Sequence, residues 1–272
     1  MAKNTKANNT NGHMNRREIL RQQQAAQARR KRTITVVCIA LAVVVVIAAV
    51  ALIVTHVNSV NHQKNTAGAA TAQIKPPDLT SDGTAIIVNP AAKDAALTID
   101  VHEDFQCPIC KSFEDTFGSA MNQIIDNNQA LVRYHVRSFL DINENNDWSN
   151  LAAQGAMCAD TVGKFKPYHD TVFANQPAVE GTGYTNQELS TTFAQQAGIT
   201  GDDLTKFQAC YNNHQTSQVV STMESLNMSA GVQGTPAFFV NGKSIDLQTL
   251  AGLKSNDAAT LLAAFQKAAG LS

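Results

Sequence analysis

Among its 272 residues the chain has no glycine-rich phosphate loop, no His-Glu-x-x-His pair, no second close pair of cysteines and no internal repeat. The first two absences exclude a P-loop nucleotide hydrolase and a zincin-type protease, and the last excludes a solenoid. Want of a second close cysteine pair counts against a four-cysteine zinc module, which otherwise stays open. His135, His169 and His214 are scattered without ligand spacing and read as ordinary surface or packing residues, so neither a metal nor a cofactor is expected. Acids are nearly missing from residues 1–32, where nine Lys or Arg face the single Glu18. That tail carries +8 and leaves −9 on the remainder of a chain whose net charge is −1.

Polar residues are equally scarce in the next stretch. Residues 34–54 contain only Thr35 and the weakly polar Cys38 in a 21-residue apolar run, about 30 Å as a helix and enough to cross a bilayer. The small-x-small pattern Ala49-Val50-Ala51 offers a signal-peptide cleavage site, but the run exceeds a usual h-region and continues past it. Arg29, Arg30, Lys31 and Arg32 at its N-terminal edge hold that side in the cytoplasm. The expected organisation is a disordered basic cytoplasmic tail (1–32), a single transmembrane helix (33–57), a polar linker (58–82) ending near Pro76-Pro77, and a folded domain (83–272) outside the membrane. The basic tail reads as topogenic and lipid-attracting rather than as a nucleic-acid site.

What the domain does have is Phe105-Gln106-Cys107-Pro108-Ile109-Cys110. Residues 97–101 alternate as a half-buried strand does, and Phe113, Phe117, Met121, Ile124 and Ile125 recur at helical spacing. Cys107 therefore falls at a strand-to-helix junction, where unpaired N–H groups and the helix dipole favour a thiolate. Pro108 suits the first helical position. A lone Cys-x-x-Cys is half a zinc site, a redox pair or a structural disulfide. The second signal is Gly234-Thr235-Pro236, followed by a short apolar run, Asn241-Gly242 and a second run, which reads as a β-hairpin.

On these two motifs the sequence resembles the DsbA-like thiol–disulfide oxidoreductases of the thioredoxin superfamily, over about residues 83–270. The resemblance implies an α/β thioredoxin fold with an inserted all-helical subdomain, here about 147–227 and preceded by the single transmembrane helix. It implies Cys107 as the exposed attacking sulfur, Cys110 as the resolving one, and a cis-proline at Pro236 that presents Thr235 to a bound peptide. Pro108 and Ile109 belong to the same substrate face. Independently, residues 147–226 carry little strand signal and repeated helical periodicity, with Thr185-x-x-Glu188 as a capping box. Shorter strands are expected at 84–88 and 130–136.

Cys158 and Cys210 fall on apolar helix faces, and outside the membrane their expected state is a disulfide, two buried free thiols being the alternative. Two departures from the family pattern matter. Ile109 replaces the histidine that holds the thiolate in many strong oxidases, and Val101 stands where thioredoxin relatives often place a buried acid. Strand alternation puts Glu103 on the Val101 side and makes it the candidate proton acceptor. His102 is expected to face solvent, Asp104 to order the loop, and Lys166 to Asp170 to form a solvated helix start. The expected function is a membrane-tethered extracytoplasmic oxidase of reduced or misfolded secreted proteins; a reductase or isomerase is the alternative. By resemblance its redox partner is a quinone-linked membrane oxidoreductase.

Overall fold

The structure, a computed structural model, describes residues 72–253 and 256–271. The expected basic tail, the transmembrane segment with Cys38 and most of the linker lie outside the described residues. Among the described residues no helix is long and apolar enough to cross a membrane.

Five strands form one sheet: β1 (Ile86–Ile87), β2 (Thr98–Asp104), β3 (Leu131–Arg137), β4 (Ala237–Val240) and β5 (Lys243–Ile245), in the order β1-β3-β2-β4-β5. Only β2 and β3 are parallel, with Val101 opposite Tyr134 and Asp104 opposite Arg137. They are joined through α1 (Pro108–Asp126), the crossover that a parallel pair requires. Phe113, Phe117, Met121, Ile124 and Ile125 of α1 are all buried, and Phe113 meets Phe238 of β4 with ring centroids 4.5 Å apart. At about 1.5–3 kcal/mol per large side chain, that face alone contributes on the order of 10 kcal/mol of apolar burial. The Asn241-Gly242 turn has φ of 49° and 78°. Both are left-handed, as a two-residue hairpin turn of the expected type demands.

Between β3 and β4 every element is helical: α2 (Leu140–Glu144), α3 (Trp148–Asp160), α4 (Phe165–Ala174), a π-helical turn (Glu188–Thr192) running into α5 (Phe193–Gln196), α6 (Gly201–Asn212) and α7 (Ser217–Ser229). After β5 come α8 (Leu247–Ala251) and α9 (Ala258–Ala269). The expected capping box is present, with Glu188 accepting from the Thr185 N–H at 2.7 Å and Thr185 Oγ1 accepting from the Glu188 N–H at 3.1 Å. From Leu151 to Asp160 every residue of α3 is buried, which makes it the axis of the insertion. Gly155 lets Tyr168 close on it, since a Cβ there would lie 2.3 Å from the Tyr168 hydroxyl. Cys158 of α3 is bonded to Cys210 of α6, with Cα atoms 5.8 Å apart. This disulfide also removes the four-cysteine metal module, because two of its four ligands are bonded to each other.

Three expectations change. Residues 72–82 are docked rather than tethering: Pro76 and Thr80 are buried, the Ile74 N–H donates to Gln215 O at 2.7 Å, and Leu79 bridges to Ile86. β2 is not half-buried, because helices cover both faces of the sheet and every residue from Ile99 to Asp104 is buried. His102 accordingly does not face solvent. It stacks on His135 at 4.0 Å and meets the Phe239 edge at 5.3 Å, and burial, with His135 beside it, pulls its pKa down to about 2. His135 itself is tied to Asp100 at 2.9 Å and Asn227 at 3.1 Å, and Arg133 clasps Asp100 through two nitrogens at 2.6 and 2.7 Å. Alternating polar residues mark a wet face only when nothing charged stands opposite to pair with them.

Candidate active site

Cys107 caps α1. Its φ of −74° and ψ of 118° are extended, Pro108 follows at the first helical position, and its sulfur accepts the Cys110 N–H at 3.5 Å. The Cys107 N–H closes a turn onto Asp104 O at 2.9 Å. Across the groove the Thr235–Pro236 peptide is cis, and Thr235 O lies 3.4 Å from the Cys107 sulfur. Two loops 128 residues apart in sequence thus meet at one thiol. Cys107 is less open than an exposed sulfur should be, at 5% of its surface, because the Pro236 loop lies over it. Ile109, the next side chain out, is 62% exposed. With Phe113, Phe117, Pro236 and Leu250 it lines an apolar groove of about 670 Å³ beside the thiols.

The two sulfurs are unlike. The Cys110 thiol donates to Cys107, the Thr235 side chain and the N–H groups of Cys110 and Ile109 add to it, and together they outweigh burial to bring the Cys107 pKa down to about 6. Cys110 is fully buried, and that burial, then its bond to Cys107 and the charge of Glu103, push its pKa well above the ordinary value. At neutral pH one sulfur is a thiolate and the other a thiol. Such a pair can accept or deliver two electrons by thiol–disulfide exchange, since the thiolate is both the nucleophile and the good leaving group.

Glu103 lies where alternation placed it, on the Val101 face, and is buried. Its Oε2 is 3.0 Å from His169 Nε2, and its Oε1 has no hydrogen-bond partner. Burial, then the Glu114 charge, raises its pKa to about 8 in spite of His169. His169 is therefore no ordinary packing residue, and α4 is no solvated helix start: the ring is 1% exposed, and Lys166 pairs with Asp170 beside it. Oxygens of Glu103 and Glu114 and a His169 nitrogen converge within 4.8 Å, and the cation placed beside them is the Lys166 ammonium, 4.0 Å from Glu114.

Asp104 orders the loop as expected, accepting from the Gln106 N–H at 2.9 Å, Ser149 Oγ at 2.5 Å and the Leu140 N–H at 3.2 Å. Burial raises its pKa to about 7. Three supporting residues were not legible in the sequence. Gln106 Nε2 lies 3.0 Å from Asp141 and 2.8 Å from Ser149, which fastens the loop to the insertion. Gln176 donates to Phe105 O at 2.7 Å and Cys107 O at 3.1 Å, and the Tyr184 hydroxyl to Phe105 O at 2.6 Å. These are single polar side chains about 70–80 positions from the carbonyls they hold, and no local pattern announces them.

Residues 87–256 match the family model described as Thioredoxin. A Rickettsia typhi protein whose name assigns it, provisionally, as a protein-disulfide oxidoreductase is 28% identical over 140 residues, which is 50% of this chain and 47% of that protein. The chain thus spans about half the length of the curated relatives it matches. Among solved structures, oxidised DsbA of Mycobacterium tuberculosis is 26% identical with a TM-score of 0.51, covering 64% of this chain and 83% of that one. The reduced disulfide bond oxidoreductase DsbG of the same organism is 24% identical with a TM-score of 0.54, covering 70% and 89%, and shows a shared fold.

Proposed function

This chain belongs to the thioredoxin family, and from that premise we propose that it is a DsbA-like thiol–disulfide oxidoreductase that acts outside the cytoplasmic membrane as an oxidase of secreted proteins. The observation that carries the reading is the polarised pair, Cys107 near 6 and Cys110 far above it. In the oxidised protein a substrate thiolate attacks the Cys107 sulfur, the Cys107–Cys110 bond breaks, and Cys110 leaves with the electron pair and takes up a proton. Glu103 is the candidate group for exchanging that proton. The substrate's second thiolate then attacks its own sulfur and expels Cys107, which leaves readily because its thiolate is stable at neutral pH. The substrate has lost two electrons and the pair has gained them.

An extended peptide would lie along Thr235, exchanging backbone hydrogen bonds as a strand does, with Pro108, Ile109 and Pro236 as its apolar bed. Recharging falls to a quinone-linked membrane oxidoreductase. Replacing Ile109 with His is expected to add a donor to the thiolate, lower the Cys107 pKa by about one unit and make the pair more oxidising by roughly 30 mV. Thiolate absorbance against pH, read beside glutathione equilibria, checks both. An unchanged pKa would mean that position 109 does not face the sulfur.

Location is tested separately. With positive charge before the apolar run and none directly after it, protease added to intact cells should remove the catalytic domain and spare the basic tail. A protected domain would contradict the placement. A pair as reducing as thioredoxin would instead favour the reductase reading.

A further inference from the structure

The polar group beneath α1 holds more than a proton acceptor needs. Glu103 is held by one oxygen only: Oε2 meets His169 at 3.0 Å while Oε1, equally buried, has no partner. A buried carboxylate left unsatisfied ordinarily protonates or finds a donor. The ring of His169 is fixed by Phe105, Phe173 and Tyr134, with centroids 5.6, 4.9 and 4.6 Å away. Its second nitrogen, Nδ1, is 2.9 Å from Asp170. A ring between two carboxylates donates to both as an imidazolium.

Resting on the reading of Cys107 and Cys110 as the redox pair, we infer that His169 is a positioning residue for proton exchange at Cys110: its ring holds Glu103 by Oε2 and so leaves Oε1 free for the thiol. The titratable and charged groups facing this pair are Cys110 and Glu114 from α1, Tyr134 from β3, and Lys166 and Asp170 from α4. Burial and Lys166 favour a neutral ring, but hydrogen bonds to Asp170 and Glu103 win and raise the His169 pKa to about 9. The imidazolium in turn restrains the rise at Glu103.

In a mixed disulfide between Cys107 and a partner thiol, the Cys110 proton passes to Glu103 Oε1 and the Cys110 thiolate attacks the Cys107 sulfur. The bond to the partner breaks, the partner leaves with the electron pair and takes a proton from water, and Glu103 returns its proton to solvent. Without His169 the carboxylate would hold its proton more tightly, so less of it is ionised at pH 7 and the attack slows.

The test mixes reduced full-length protein with oxidised glutathione and follows acid-quenched samples by mass, which separates formation of the Cys107–glutathione adduct from its resolution by Cys110. In His169→Phe, formation should keep its wild-type rate, while resolution should slow about tenfold at pH 7 with its pH midpoint moved up by about one unit. His169→Gln, which keeps one donor without the charge, should show the same shift in smaller measure and serves if the Phe variant does not fold. Resolution with the wild-type rate and midpoint in the folded variant overturns the role, even if the melting temperature falls. A wild-type protein that yields neither the adduct nor the Cys107–Cys110 disulfide would overturn the redox reading instead.

Discussion

Replacing Cys110 with Ser is expected to stop turnover while leaving Cys107 able to attack, so that mixed disulfides between Cys107 and its targets accumulate. The geometry requires this. Cys107 draws its reactivity from the Cys110 thiol and from the cap position, where the Cys110 N–H reaches its sulfur at 3.5 Å, and a serine at 110 keeps the backbone donor and offers a hydroxyl in place of the thiol. What disappears is the intramolecular thiol that resolves the adduct. A group held in place has an effective concentration far above the millimolar thiols of solution, so resolution should fall by at least about a thousandfold. Cys107→Ser should abolish exchange altogether, because Cys110 is fully buried and holds its proton. Non-reducing gels of cells expressing Cys110→Ser should show Cys107-dependent adducts that vanish on reduction. An active Cys107→Ser protein, or a Cys110→Ser protein without adducts, would show that the pair is misassigned.

The second large effect is on stability. The Cys158–Cys210 bond joins two buried sulfurs, on α3 and α6, across a sequence separation of 52, and in the chain-entropy description closing such a loop is worth about 4 kcal/mol. Its removal by Cys158→Ala and Cys210→Ala, in a background where Cys107 and Cys110 are Ser to prevent reshuffling, should lower the melting temperature by roughly 8–16 °C. The same double change with the redox pair intact should keep part of the exchange activity, because α1 and the Pro236 loop rest on the sheet rather than on this bond. Scanning calorimetry checks the first expectation and a thiol titration the assignment. Two free thiols in the denatured, unreduced Cys107→Ser, Cys110→Ser protein would refute it.

The parts that were legible in sequence are those written locally. The strand-to-helix junction at Cys107, the Asn241-Gly242 turn and the apolar face of α1 each lie within a short window, and each is where the spacing placed it. The Cys158–Cys210 bond was the expected state, with two buried free thiols as its alternative. Partners far apart in the chain were the source of the misreadings. Asp100 and His102 look like the wet side of a strand until Arg133 and His135 are brought alongside by the parallel register. His169 looks incidental until the fold closes the 66 residues between it and Glu103. Residues 72–82 have the composition of a linker, yet backbone groups such as the Ile74 N–H find partners on the insertion that composition does not reveal. The cover over Cys107 comes from the Thr235–Pro236 loop, again a long-range contact.

The most direct test of the central claim is the redox equilibrium of the Cys107–Cys110 pair in glutathione buffers. A single reversible two-electron transition is expected at a potential distinctly above the roughly −270 mV of thioredoxin, because a Cys107 pKa of about 6 stabilises the reduced form. A pair that fails to exchange with glutathione, or that equilibrates at or below the thioredoxin value, would contradict it.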